Sequence, residues 1–589
     1  MRTFGERGWG KVAWRAMDAN VFMGMDGSVS YRPSLLLRFC QTFPGYCSDV
    51  LEAVQTNPGH VLLETLFFLV IVYLLLQKTN PPKEKPLTEE EVDALCEEWT
   101  PEPLAPEVHD DEQGLVRGNT AILREEPPVV EAAAGPHTTV GGVEVINFAS
   151  TNFLGLLQHP VVQARCEGAI NKYGCGSCGP RGFYGTIDVH LELEQRVARF
   201  LGQHDSLLYS YDYATASSTI PAFAKREDVL VVDAGCHWGI RNGVVLSKAR
   251  VLWFKHNDVD DLERQLRKVA EEDKRKGKGV ELNRRFIIAE GLYINHGDLA
   301  PLPDIVRLKE HHKFRLILDE SVSLGALGAT GRGATELWGV GKGLIDITLG
   351  SLGHSLASIG GFTAGGKRAI DHQRLNASGY VFSASLPPFL AAAAIGALDV
   401  IEGSEGTARV ETLHANVAEL RKLLLTIPGV EVFPKNEESP LMHLRLADQH
   451  RNTIEGPDFL GGDAGEPRDE EDALLQRVCA RCLADADFPV LLTRAKYSRL
   501  ELASGAAPAP SLRLAVSAGH SRGDLGACAS ALRTAFAAEL ASLDRLASGP
   551  GLAATTPKKT PPGTPRRTPT ATPSRSALVS SPTARGSGA

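Results

Sequence analysis

The stretch RLILDESVSLGALGATGRG, residues 315–333, decides the fold of this chain. It begins with an apolar run of strand length, and Asp319 follows that run directly. Open α/β sheets place ligand-binding side chains where their strands end, so Asp319 is a candidate site residue. Because an aspartate at a strand end is also a common turn or cap residue, its assignment depends on the other residues of the chain.

Short apolar runs of the same kind recur from about residue 145 onward and alternate with longer amphipathic segments: VINFAS, SLLYSY, VLVVD, RVLWFKH, RRFIIAEG, ITLGS and GGFTAGG. This alternation predicts a mostly parallel sheet with crossover helices, the α/β class. A long helix is predicted after Pro387 and Pro388. The runs LMHLRLA and SLRLAVSAGHS predict strands of a second, smaller domain, with an acidic surface loop over residues 448–472.

A separate apolar segment, VLLETLFFLVIVYLLL, occupies residues 61–76. With its flanks it is long enough for a membrane-spanning helix, which we predict over residues 60–77. An ordinary signal peptide is excluded because about 60 residues precede the segment. Basic residues follow it closely, which predicts a cytosolic C-terminal part and a lumenal N-terminal segment: Lys78, Lys83 and Lys85. A buried core helix is the alternative.

Two further segments flank the α/β pattern. PLTEEEVDALCEEWTPEPLAP predicts a short acidic helix in a connecting arm, with Thr88 as N-cap and Glu91 completing a capping box. The basic Pro/Thr/Ser-rich tail cannot bury a core and is predicted to be disordered. Its Ser/Thr-Pro pairs permit a phosphorylation hypothesis: Thr556, Thr560, Thr564, Thr568, Thr572 and Ser581.

The predicted parts are a lumenal segment (1–59), a transmembrane helix (60–77), a cytosolic connecting arm (78–144), a large domain (145–400), a small C-terminal domain (401–546) and the tail (547–589).

Composition excludes some classes of function. The chain is 43% apolar and 23% charged, as ordinary globular proteins are, and its net charge of −9 leaves no basic face for nucleic acid in the body of the chain. Cys175/Cys178 and Cys479/Cys482 have C-x-x-C spacing, but the first pair lies in a Gly-rich loop and the second lacks neighbouring ligands. We therefore predict free thiols and no metal site.

Residues 347–362, ITLGSLGHSLASIGGF, have the small-residue texture of the loop that carries the Schiff-base lysine in pyridoxal-phosphate enzymes, yet they contain no lysine. Such a site needs a carboxylate at the pyridine nitrogen, a ring stacked on the cofactor, a primary amine and backbone N–H groups around the phosphate. Asp319 supplies the carboxylate. The nearest lysines in sequence, Lys342 and Lys367, are 12 residues before and 13 after His354.

Longer motifs carry a family resemblance: INFASTNFLGLLQHP, KYGCGSCGPRGFYGTIDVHLELE, WFKHNDVDDLE, AEGLYINHGDLAPLP, DHQRLNASGYVFSASLPPFLAAAA and LRLAVSAGH. From Ile146 to about Leu546 the chain resembles the α-oxoamine synthases, fold-type I pyridoxal-phosphate enzymes that join an amino acid to an acyl-CoA with loss of CO2. The resemblance implies a fold-type I transferase, with a mostly parallel sheet in the large domain and a smaller α+β C-terminal domain.

The resemblance assigns roles to individual residues. His237 matches the ring-stacking histidine of the family, and Asp319 matches the pyridinium aspartate. Val322 stands where the family has a histidine that bonds the phenolic oxygen of the cofactor, and His354 stands where the imine-forming lysine belongs. Since imidazole cannot form that imine, we expect no catalytic residue on this chain alone. Two interpretations of His237 and Asp319 remain open. They bind the cofactor non-covalently, or they are remnants packed beside a partner's site.

The Gly-rich segment GSCGPRGFYG, residues 176–185, is expected to form part of a site shared with a partner. By resemblance, Cys178 occupies its cofactor-facing position. The alternative for Cys178 is a small buried filler. Arg513 matches the arginine that takes the substrate carboxylate in active relatives, although a structural role is preferred here.

The resemblance implies a subunit that pairs with a lysine-bearing catalytic subunit, which holds pyridoxal phosphate covalently. Together they would condense L-serine with palmitoyl-CoA to 3-ketodihydrosphingosine, the first step of sphingolipid biosynthesis. The implied location is the endoplasmic reticulum membrane, with one span and a cytosolic catalytic domain. Two alternatives are a self-sufficient homodimer with His354 as general base, and a non-enzymatic membrane scaffold.

Overall fold

The computed structural model describes residues 21–23, 29–31, 56, 58–76, 88–99, 127–276, 283–435, 438–455, 467–497, 501–502, 505 and 507–547. Most of the predicted lumenal segment and the tail from residue 548 lie outside the described residues. The chain divides into two units, Met1–Glu107 and Val108–Ala589.

The first unit contains strands β1 (Val21–Met23) and β2 (Val29–Tyr31), which pair antiparallel, and helices α1 (Pro58–Leu76) and α2 (Glu89–Glu98). The predicted capping box of α2 is confirmed, because Glu91 N donates to Thr88 Oγ1 at 3.3 Å and Thr88 N donates to the Glu91 carboxylate at 2.9 Å. Helix α1 coincides with the predicted membrane span. Among the residues that the structure describes, no helix combines the length and apolarity needed to cross a membrane.

A seven-stranded sheet organises the second unit, in the order β5-β11-β10-β9-β8-β6-β7. Its strands are β5 (Asp205–Tyr209), β6 (Val229–Asp233), β7 (Arg250–Phe254), β8 (Arg285–Glu290), β9 (Arg315–Asp319), β10 (Ile347–Ser351) and β11 (Gly361–Gly365). Only β11 within this sheet runs antiparallel to its neighbours, so the mostly parallel sheet predicted for the α/β class is confirmed. All five residues of β6 are buried, as a strand covered on both faces requires.

Helices connect and cover these strands: α3 (Pro160–Tyr173), α4 (Asp188–Leu201), α5 (Asp212–Phe223), α6 (Trp238–Ser247), α7 (Val259–Lys276), α8 (Leu302–His312), α9 (Ala334–Leu337), α10 (Lys367–Asn376), α11 (Ser378–Val381), α12 (Pro388–Ile401) and α13 (Ser404–Leu424). A short 3₁₀ helix covers Lys342–Leu344. Helix α12 begins at Pro388, as predicted, because proline fits the first position of a helix.

Two smaller sheets complete the unit. Strands β3 (His137–Val140), β4 (Val143–Asn147) and β14 (Val490–Leu491) form one sheet. The other is antiparallel and contains β12 (Val430–Phe433), β13 (Leu441–Leu446), β16 (Leu512–Ala515) and β15 (Thr493–Arg494). The remaining helices are α14 (Asp448–Glu455), α15 (Pro467–Leu483) and α16 (Arg522–Ala547).

Two expectations need correction. The run VINFAS does not enter the seven-stranded sheet, because the backbone N–H groups of Ile146 and Phe148 donate to Pro489 and Leu491 of the C-terminal part. The predicted surface loop over residues 448–472 is wrong at both ends, where α14 and α15 lie; Ile454 is buried there and holds α14 in place.

Candidate functional site

Two acidic residues end neighbouring strands of the large sheet. Glu290 ends β8, Asp319 ends β9, and the two are partners in the parallel register. The N–H of Ser321 donates to one carboxylate oxygen of Asp319 at 2.8 Å. The pKa of Glu290 is raised to about 7, chiefly by burial and also by the charge of nearby Asp319, against the opposing effect of His237. The carboxyl ends of the strands therefore form an acidic edge, as open α/β sheets allow.

His237 caps the N-terminus of α6 and faces this edge. Its backbone N–H donates to Glu290 at 2.6 Å, and its Nε2 lies 3.1 Å from an oxygen of Asp319. Burial lowers the pKa of His237, whereas the carboxylates of Glu290, Asp319 and Asp212 raise it, to about 9. Its Nδ1 accepts the N–H of Gly239 at 3.0 Å. This hydrogen bond opposes the protonation of Nδ1 that the three carboxylates favour.

Asp212 adds a third carboxylate at the first turn of α5. It is hydrogen-bonded to Ser351 at the end of β10. Partial desolvation raises the pKa of Asp212 to about 6, and the charge of Asp319 contributes to this shift. Three carboxylates and one imidazole thus share one edge of the sheet.

His354 lies in the loop between β10 and β11. Its Nδ1 is 2.6 Å from Oγ1 of Thr151, which belongs to the loop after β4. Burial lowers the pKa of His354 to about 4, and the charge of Arg513 acts in the same direction. His354 is therefore a neutral imidazole near pH 7. Val322 is only 4% exposed, so an apolar side chain stands where the resemblance implies a histidine in active relatives.

These residues line one cavity of about 380 Å³. The structure brings together four residues that the sequence singled out: His237, Asp319, Val322 and His354. Cys178 and Arg513 are not among the residues that line it. Arg513 lies on β16, where its Nε has no partner among the described residues and burial lowers the pKa of its guanidinium.

Cys178 is exposed and has a positive φ of 56° in the Gly-rich loop, so the alternative of a buried filler is wrong. The loop docks on the segment before α12, because Ser177 Oγ donates to the carbonyl of Ser385 and Ser385 N donates to that of Gly179, both at 2.9 Å. A Cβ at Gly185 would overlap the carbonyl of Gly179. The loop is therefore held in one conformation while Cys178 stays accessible.

Arg181 anchors the other end of this loop. Its guanidinium donates to both carboxylate oxygens of Glu194 on α4, at 2.8 and 3.0 Å, and each of the two side chains is 5% exposed. Large apolar side chains of this loop and of the segment on which it docks remain exposed: Phe183, Tyr184 and Phe382. Exposed apolar groups of this kind mark surfaces that other proteins cover.

Sequence reasoning missed several residues of the cavity. Glu290 could have been found, since it ends the apolar run RRFIIAEG as Asp319 ends its own run. Lys496, which follows β15, gave no signal because its strand is short. Neither Lys342 nor Lys367 lines the cavity, but Lys496 does. Distance in sequence from position 354 therefore did not predict which lysine reaches the cavity.

The residues of this cavity do not fit pyridoxal phosphate bound as in active fold-type I enzymes. Position 354 offers imidazole in place of an amine. Both carboxylate oxygens of Asp319 already take part in hydrogen bonds, with His237 and with the N–H of Ser321. The carboxylate of Asp212 stands at the N-terminus of α5, where a helix would otherwise favour phosphate.

Residues 143–532 match the family of aminotransferases class I and II. The chain is 46% identical over 468 residues to long chain base biosynthesis protein 1 of Arabidopsis thaliana, which covers 79% of this chain and 89% of that protein. It is 40% identical over 476 residues to serine palmitoyltransferase 1 of Dictyostelium discoideum, which covers 80% of this chain and 92% of that protein.

Solved structures share the fold. A serine palmitoyltransferase from S. paucimobilis with a bound pyridoxal-phosphate–myriocin aldimine superposes with a TM-score of 0.58 at 24% identity. The match covers 70% of this chain and 93% of that chain. The two small sheets and the seven-stranded sheet thus belong to a known architecture.

Proposed function

The chain belongs to the family of aminotransferases class I and II and, within it, to the group of long chain base biosynthesis protein 1 and serine palmitoyltransferase 1; from this premise we propose that it is the non-catalytic subunit of a serine palmitoyltransferase. Its reaction joins L-serine to palmitoyl-CoA, with loss of CO2, and gives 3-ketodihydrosphingosine. A lysine-bearing partner subunit supplies the covalently held cofactor.

One observation carries this proposal. His354 occupies the position of the family's lysine, and its Nδ1 is hydrogen-bonded to Thr151 at 2.6 Å. Imidazole cannot form an imine with an aldehyde, and a histidine whose pKa is near 4 is a weak base at neutral pH. The neighbouring Asp319 is bonded to His237. The cavity therefore keeps a polar lining without the group that starts the reaction.

The Gly-rich loop is what this subunit contributes to its partner. It is fixed by Arg181 at one end and by Ser385 at the other, and it leaves Cys178 exposed. Exposed Phe183 and Tyr184 beside it suit a protein interface. In this proposal the partner covers these side chains, and Cys178 forms part of the wall of the partner's site.

A membrane anchor is the second part of the proposal. The apolar residues 61–76 and the lysines that follow them support a single span with a cytosolic catalytic part, in the endoplasmic reticulum. A chain that resists carbonate extraction, and whose C-terminal part is digested by protease added to intact microsomes, would agree with this topology. Release by carbonate would contradict it.

Co-expression tests the enzymatic proposal. The full chain, alone or with a lysine-bearing homologue, is assayed for condensation of L-serine with palmitoyl-CoA. We expect activity only when both chains are present, and none when the homologue's lysine is replaced by alanine. Activity of the isolated chain, or full activity of the homologue alone, would overturn the proposal.

Lys496 supports a second candidate function, a self-sufficient pyridoxal-phosphate-dependent α-oxoamine synthase, because this lysine lines the cavity. The isolated chain is treated with pyridoxal phosphate and borohydride, and peptide mass spectrometry then locates any pyridoxyl group. A single adduct on Lys496, absent from Lys496→Arg with equal treatment, would favour this function. The surface residue Lys367, which is 74% exposed, reports non-specific labelling.

A further inference from the structure

A second cavity, of about 600 Å³, lies between the loop that follows β8 and the hairpin of β12 and β13. The loop over residues 294–298 separates it from the first cavity. Ile294 and Asn295 line the first cavity, whereas His296 and Asp298 line the second. Nothing in the proposed reaction uses this second cavity.

Residues of its wall carry buried polar atoms without a partner among the described residues: Asn257 Oδ1, His296 Nε2 and Arg445 Nε. Arg445 forms neither a hydrogen bond nor an ion pair within the described part of the chain, although Glu431 stands opposite it in the β12–β13 register. Its guanidinium carbon lies 4.3 Å from the centre of the Phe433 ring. The guanidinium of Arg445 is thus held in place, and its N–H donors have no partner in the described part of the chain.

Two acidic residues line the cavity, Asp298 and the exposed Glu438, and the charge of Asp298 is already neutralised. Asp298 lies 3.0 Å from Nε2 of His256 and accepts from Asn257 Nδ2 at 2.8 Å. Although burial lowers the pKa of His256, Asp233 and Asp298 raise it to about 10, so the ring is a cation that offsets Asp298. The ring of His296 lies 3.8 Å from that of His256. Burial, then the charge of His256, lower the pKa of His296 to about 4, which leaves its imidazole neutral.

The side chains that line the second cavity define the chemistry of the ligand that it can bind. Arg445 offers N–H donors and positive charge, and Lys435 adds a second positive charge at the rim. Asn257 offers an acceptor that calls for a hydroxyl or amino hydrogen on the ligand. Trp338, Phe433 and Pro301 supply apolar surface between these groups. A dianion uses both cations better than a carboxylate does.

We propose that this cavity binds a small phosphate ester that carries a hydroxyl or amino group, with its phosphate on Arg445 and its hydrogen-bond donor on Asn257 Oδ1. The site is independent of the proposed function, because none of these residues lines the first cavity. It would allow a soluble metabolite to bind without entering the shared active site.

Binding to the full-length chain tests the proposal, with calorimetry as the readout. The probes are glycerol 3-phosphate and, as a phosphate that lacks the alcohol groups of the ester, inorganic phosphate. We expect saturable binding of glycerol 3-phosphate that is about tenfold tighter than that of inorganic phosphate, because the ester also bonds Asn257. Arg445→Met, which keeps the apolar stem on Phe433, should weaken it by about tenfold or more.

Two further variants complete the design. Lys435→Met, at an exposed residue of the cavity lining, removes the second positive charge and should weaken glycerol 3-phosphate binding several-fold, so this variant tests the proposal if Arg445→Met does not fold. Arg267→Met, at an exposed arginine of α7 paired with Glu263, should bind as the unaltered chain does. The proposal is wrong if glycerol 3-phosphate does not bind, or if it binds no tighter than inorganic phosphate. It is also wrong if the cavity variants do not weaken the binding of glycerol 3-phosphate.

Discussion

His354 and Thr151, 203 residues apart in sequence, are joined by a hydrogen bond of 2.6 Å between Nδ1 and Oγ1. The bond ties the loop after β10, whose His354 lines the cavity, to the loop after β4. Because the imidazole of His354 is neutral and hydrogen-bonded, this residue has a structural role in place of a chemical one.

Stability should fall in acid because of His354. The pKa of His354 is lowered to about 4 in the fold, from 6.5. The folded state therefore resists a proton that the unfolded chain accepts, so the contribution is complete above pH 6.5 and is lost as the pH falls towards 4. Partial exposure reduces the effect to about 2 kcal/mol. Denaturant unfolding of the chain and of His354→Gln, which cannot titrate, measures it.

The control for this experiment is Thr151→Val, which removes the hydrogen bond and leaves the imidazole. It should cost about 1 kcal/mol at neutral pH and keep most of the acid sensitivity. Equal pH profiles for the chain and for His354→Gln would show that other buried histidines account for the loss.

A lysine at position 354 should not give the chain catalytic activity of its own. His354→Lys brings an amine to the cavity, but Val322, the Asp212 carboxylate and the bonds of Asp319 are unchanged. We expect no activity from the variant alone, and reduced stability because Thr151 loses its partner. Condensation assays and borohydride labelling check this. Turnover by His354→Lys without a partner would mean that the lysine alone was missing.

Sequence patterns predicted more of the large sheet than of the site. Buried strands such as β6 are continuous apolar runs, and Asp319 marks the end of one, so both can be recognised locally. Strand β4 could not be assigned to its sheet, because its neighbour β14 comes from residues 490–491, far along the chain. Lys496 lines the cavity and Thr151 contacts His354 through such long-range packing, which no local pattern records.

The Gly-rich loop should be intolerant at one glycine and tolerant at its neighbour. A Cβ at Gly185 would overlap the carbonyl of Gly179 and approach Ser385 Oγ, whereas a Cβ at Gly182 would have no heavy atom within 4 Å. We expect Gly185→Ala to displace the loop and to lower condensation activity with the partner by about tenfold or more. Gly182→Ala should retain normal activity. Similar activities for the two variants would mean that the loop's conformation is not what the partner uses.

The buried pair of Arg181 and Glu194 should be needed for stability as a pair. Arg181→Met leaves a carboxylate that is 5% exposed without its cation, and it should destabilise the chain by roughly 3 kcal/mol. Glu194 would still accept the N–H of Leu208 at 3.1 Å, which does not neutralise its charge. Because the cost comes from the unpaired charge, adding Glu194→Gln to Arg181→Met should recover part of the loss. Denaturant unfolding of the two single variants and the double variant gives the coupling energy, and strict additivity would contradict this account.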